Sequence, residues 1–128
     1  MPANTNPIFP LTPIAGSTTL TTAATEKDGS TATTLLTAGE NGSFLTHAII
    51  QPIGTNVATV VRFFITGTGL NTIIKEQAVP ETTGSETEAL TEYKVTFEYA
   101  IPANSIIKVA LGTTIATGIQ ITAFGSNY

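Results

Sequence analysis

The chain has 128 residues, of which 26 are threonine, five basic, nine acidic, one histidine and none cysteine. That length suits one domain, since single domains cluster at roughly 100–150 residues. The composition excludes a disulfide framework and a thiolate metal site, and a net charge of −4 with Lys27, Arg62, Lys75, Lys94 and Lys108 scattered along the chain gives no basic footprint for nucleic acid or polybasic membrane attachment.

In chain order, residues 1–16 read as an extended N-terminal arm. Pro2, Pro7, Pro10 and Pro13 lie at short spacing, with Ile8, Phe9, Leu11 and Ile14 between them. Proline fixes φ and biases its predecessor towards extended geometry, so a helix is excluded here. A solvated tail has no need of those apolar side chains. Ile8, Phe9, Leu11 and Ile14 are therefore the expected partner-binding residues, docking on the chain's own domain or on a neighbour. The start of the chain has neither a basic nor a long apolar stretch of the kind that directs ordinary secretion.

Residues 17–128 read as one domain of short strands separated by turn residues. Leu20 to Thr25 is a weak strand, ended by the turn signal Asp28-Gly29. Ala32 to Ala38 is a second, closed by Asn41-Gly42, a pair that favours positive φ. Ser43 to Ile53 is a third. Val57 to Thr66 is the most apolar run and is expected in the middle of a sheet, with Arg62 interrupting one face. Leu70 to Val79 is a fifth, with Ile73, Lys75, Gln77 and Val79 expected on one face. Glu81 to Leu90 is a polar, acidic loop. Glu92 to Ile101 alternates, so Tyr93, Val95, Phe97 and Tyr99 are expected inward. Pro102-Ala103-Asn104 turns the chain into Ser105 to Leu111, and Gly118 to Phe124 is last.

About eight strands with turn signals every 8–12 residues predict an all-β sandwich or barrel. Eight strands with long cross-connections fit an eight-stranded antiparallel β-sandwich of the jelly-roll kind. A seven-stranded immunoglobulin-like sandwich is the alternative. No apolar run approaches the roughly 20 residues of a membrane-spanning helix.

Chemistry-bearing residues are sparse. His47 and Asp28 are each the only one of their type. Ser43 lies four residues before His47 on one strand, about 13 Å away by strand rise, too far for a nucleophile and its base. His47 is expected as a half-buried strand residue sharing a face with Leu45 and Ile49. Glu81, Glu86, Glu88 and Glu92 lack the Asp-x-Asp spacing of a calcium loop. Gly67-Thr68-Gly69 has no following Lys or helix to hold phosphate. No catalytic, metal or cofactor-binding residue and no small-molecule substrate is expected, and the chain is not read as an enzyme.

Charged residues make up 11% of the chain, against about 25% in a typical domain. Threonine fills the gap, and its β-branched side chain sits well on a pleated, half-exposed surface. Such neutral areas can be covered by another subunit without stranding charges.

Three elements carry a resemblance: T-x-L-x-T-A-G-x-x-G-S at Thr33 to Ser43, the apolar strand pair after it, and A-T-G-x-Q-x-T-A-F-G-x-x-Y at Ala116 to Tyr128. From about residue 31 onward the chain resembles small proteins found among tailed-bacteriophage structural genes. That resemblance implies a jelly-roll virion protein, a capsid cement or decoration protein made in the bacterial host cytoplasm. Such a protein sits on the capsid exterior, often as a trimer, bridging neighbouring major capsid proteins. The expected partners are therefore the major capsid protein and further copies of the chain. A tail-fibre, receptor-binding or glycan-binding β-sandwich is the alternative, and it calls for exposed aromatics clustered at one end.

Overall fold

A computed structural model describes residues 12–67 and 69–128. It contains eight strands: β1 (Thr12–Leu20), β2 (Thr33–Thr37), β3 (Ser43–Pro52), β4 (Thr59–Gly67), β5 (Leu70–Val79), β6 (Tyr93–Ile101), β7 (Ile106–Leu111) and β8 (Ile119–Asn127). They form two four-stranded antiparallel sheets, ordered β1-β8-β3-β6 and β2-β7-β4-β5.

That order has a simple origin. Each strand pairs with its counterpart counted from the other end of the chain: β1 with β8, β2 with β7, β3 with β6, β4 with β5. The chain is one long antiparallel hairpin, with its tip between β4 and β5, rolled so that successive hairpin segments fall alternately in the two sheets. Further pairings, β8 with β3 and β7 with β4, close each sheet. This is the jelly roll, and it excludes the immunoglobulin-like order.

The inner faces interdigitate. The first sheet supplies Leu45, Ile50, Val95, Phe97, Ile119 and Ile121, and the second supplies Val61, Phe63, Ile107, Val109 and Leu111. Phe63 and Phe97 meet edge to face across the sandwich at 5.3 Å between ring centroids, a geometry aromatic pairs favour. β4 is internal to its sheet, as its apolar run requires.

Several expectations need correction. The first strand is Thr12–Leu20, so residues 12–16 belong to the sandwich, and residues 21–25 lie outside the strand. An edge position lets β1 carry Pro13. Ile14 lies opposite Gly125 and packs against the core. Gly16 allows the sheets to meet at this corner, because a Cβ there would fall 2.0 Å from the Leu35 carbonyl oxygen. Ile8, Phe9 and Leu11 lie outside the described residues.

Bulges account for the other differences, since each extra residue resets the alternation. On β5, Ile73 lies opposite Phe64 and Lys75 opposite Phe63, so Ile74 is the extra residue and Ile73 and Lys75 face opposite sides. On β2, Leu35 is extra, and both Leu35 and Leu36 are buried. On β3, Thr46 is extra relative to β8, which separates Leu45 from His47. On β6, Glu98 takes φ 57° beside a register shift against β3. Tyr99 lies opposite Leu45 on the inward side, but at the sheet edge, and stays 37% exposed.

Candidate contact face

The outer face of the first sheet is the broadest neutral surface that the pairing register defines. Residues directly opposite one another share a face. Ala48, Ile50, Ala123 and Ile121 are buried inward, so their neighbours along the strands point out. Across the sheet the outward rows are Pro13, Ser126, Phe44 and Ala100; then Ala15, Phe124, His47 and Thr96; then Ser17, Thr122, Ile49 and Lys94; then Thr19, Gln120 and Gln51. Lys94 is the only charged residue in those rows, and the exposed bulge residue Glu98 adds a carboxylate on the β6 edge between Thr96 and Ala100.

At the centre, His47 and Phe124 stack with ring centroids 5.0 Å apart and 26° between planes. The bulge at Thr46 makes this pair, because it sets His47 opposite Phe124 while Leu45 stays in the core. Phe124 remains 36% exposed. Phe44 and Ile49 are half-buried on either side of it along the strand direction. Beside the stack, the Ser17 and Thr122 hydroxyls are hydrogen-bonded at 3.0 Å. The face is thus an aromatic centre in a frame of hydroxyls, amides and methyl groups.

The outer face of the second sheet differs. Phe64 points outward from β4 yet is fully buried. The connection between β1 and β2 lies over it: Gly29, at φ 79°, has the Phe64 Cβ 3.3 Å from where its own Cβ would be. Asp28 secures that turn by accepting a hydrogen bond from the Ser30 amide at 2.9 Å. The hydrogen bonds from Ser30 hold the Asp28 carboxyl below its usual pKa. Farther along, Arg62 Nε donates to Glu76 Oε1 at 2.8 Å. Arg62, read from sequence as an interruption, is one half of a cross-strand ion pair.

Ser43 and His47 do not form a catalytic pair. Ser43 is buried, where its hydroxyl donates to Asn127 and accepts from the Gly39 amide at 3.0 Å. Ser43 ties the end of β8 to the connection before β3, whereas His47 faces outward. Glu81, Glu86, Glu88 and Glu92 are all exposed in the connection from β5 to β6. That connection is held by Asn56 and Thr82, which exchange two backbone hydrogen bonds and pair through their side chains.

Of the expected contact residues only Ile14 is described, and it faces its own core. The aromatic centre of the open face was missed in the sequence. The available signal was Phe124 alternating with Ile121 and Ala123, but its stacking partner lies on β3, far away in the chain. No family model, curated protein or solved structure matches the chain.

Proposed function

We propose that this protein is a structural fitting of a tailed-bacteriophage virion, a cement or decoration protein that lies on the capsid exterior and bridges major capsid proteins through the outer face of its first sheet. The single observation behind this reading is that face: an exposed aromatic centre whose only charged groups, Lys94 and Glu98, lie on its β6 edge. The jelly-roll order and the resemblance of residues 31–128 support the same reading.

The size of the face sets how such a contact works. Four strands of nine residues give roughly 19 Å by 30 Å, about 600 Å². A standard interface takes about 800 Å² from each partner. One copy therefore holds weakly, and a lattice of many copies, each joined to more than one capsid subunit, holds through multivalency. Ile8, Phe9 and Leu11 add apolar contact on the same neighbour, and self-association into a trimer multiplies the contacts.

The test is co-sedimentation with purified capsid shells, paired with the shells' melting temperature. Saturable pelleting and a raised shell melting temperature support the reading. No pelleting, together with glycan-array binding at micromolar concentration, replaces it with a receptor- or glycan-binding module. Removing residues 1–11 is expected to leave a folded domain whose pelleting is weakened.

A further inference from the structure

Arg62 is the chain's single arginine, and one of its two terminal nitrogens is buried without a partner among the described residues. Its side chain is 15% exposed, and its only ion-pair contact among the described residues runs from Nε to Glu76. Nη1 is buried, and no acceptor among the described residues reaches it. A buried donor left without a partner is costly, and native structures rarely keep one without a reason.

The surroundings indicate what would satisfy it. Arg62 borders an open hollow of about 420 Å³ on the outer face of the second sheet. Its walls are largely aliphatic: Ala58, Val60, Ala78, Val79 and Pro80. Gly112 completes it on the β7 side. A Cβ on Gly112 would fall 3.2 Å from Nη1, so the missing side chain leaves a notch beside that nitrogen. Gly112 is not among the glycines with positive φ, and a Cβ there would press on the end of the Arg62 side chain.

We propose that this hollow is a binding site for a carboxylate carried on a short aliphatic stem. The guanidinium has two edges that match a carboxylate. Nε is engaged by Glu76, which leaves the edge that includes Nη1. The guanidinium is one rigid plane, so turning Nη1 towards the hollow turns the whole group and shifts Nε against Glu76. The aliphatic walls take the stem. Lys108 lies one row away, opposite Phe64, and offsets the negative charge that Glu76 brings to the site. This site is on the opposite sheet from the proposed capsid contact, so the two readings fail independently.

The carboxylate can come from an acidic side chain, from a chain terminus or from a free small acid. The probes are therefore butyrate, acetate, N-acetyl-glutamate amide and N-acetyl-leucine. Each is titrated into the full chain while the Arg62 Nε–Hε and Gly112 amide signals are followed by NMR, with chloride at equal ionic strength as the control. Butyrate is expected to bind roughly tenfold more tightly than acetate, the gain from two buried methylenes. Gly112→Ala, which fills the notch and keeps the arginine, is expected to weaken butyrate several-fold. Arg62→Lys is expected to abolish the difference from chloride. Glu76→Gln, which removes a like charge, is expected to tighten it. Preference for N-acetyl-leucine assigns the site to a chain terminus, and preference for N-acetyl-glutamate amide assigns it to a side chain. Shifts equal for chloride and butyrate, or unchanged in a folded Gly112→Ala protein, overturn the proposal.

Discussion

Phe64 and Phe124 both point outward, one from each sheet, and they meet opposite fates. Phe64 is sealed beneath the connection between β1 and β2, with Gly29 against its ring carbons. Phe124 lies on His47 and keeps a third of its surface in water. The residue type is the same, and so is its outward position. What differs is where the chain is routed. Residues 23 and 24 run beside the end of β7, and the turn at Gly29 then lies over Phe64. One outer face therefore contributes to folding, and the other keeps apolar surface that no described segment buries.

The contrast can be broken first at Phe64. Phe64→Ala is expected to cost about 3–4 kcal/mol, as for core phenylalanines, read as a lowered denaturant midpoint. Phe124→Ala is expected to cost less than about 1 kcal/mol. Equal losses at the two positions would mean that the faces are not different in kind. Gly29→Ala tests the seal itself. A side chain at φ 79° is strained and crowds Phe64, so a loss of about 1–2 kcal/mol is expected. Glu76→Gln on the same face is expected to cost no more than about 1 kcal/mol, since Glu76 is half exposed and the pair is partly screened.

The smallest effect concerns pH. Partial burial raises the Tyr99 phenol above its ordinary value of 10.0. The folded state therefore holds that proton more tightly than the unfolded chain does. Its contribution to stability is complete below about pH 10 and is lost as pH rises through the folded value. Urea midpoints across the alkaline range are expected to fall less steeply for Tyr99→Phe than for the parent.

Much of the fold was legible because its turns are written in residue types with one conformational use. Asp28-Gly29, Asn41-Gly42, Gly67 and Pro102-Ala103-Asn104 divide the chain where the strands divide. β1 escaped because Pro13 and Gly16 argue locally against a strand. Its pairing is supplied by β8 at the other end of the chain. The bulges at Leu35, Thr46 and Ile74 escaped for a related reason. A single extra residue leaves no mark on composition, and only the neighbouring strand's register reveals it. The contact face depends on one of them. Without the shift at Thr46, His47 would not lie opposite Phe124. Arg62 was visible as an anomaly, but its partner became visible only once Glu76 was placed across the hairpin.

The most direct test of the open face compares one charge placed on each sheet. Thr122→Glu puts a carboxylate beside the His47–Phe124 stack, and Asn71→Glu puts one at an exposed outward position on β5, away from the hollow at Arg62. With capsid shells and both variants folded, Thr122→Glu is expected to lose pelleting while Asn71→Glu pellets like the parent. Full pelleting of Thr122→Glu, or its loss only in Asn71→Glu, would contradict the account.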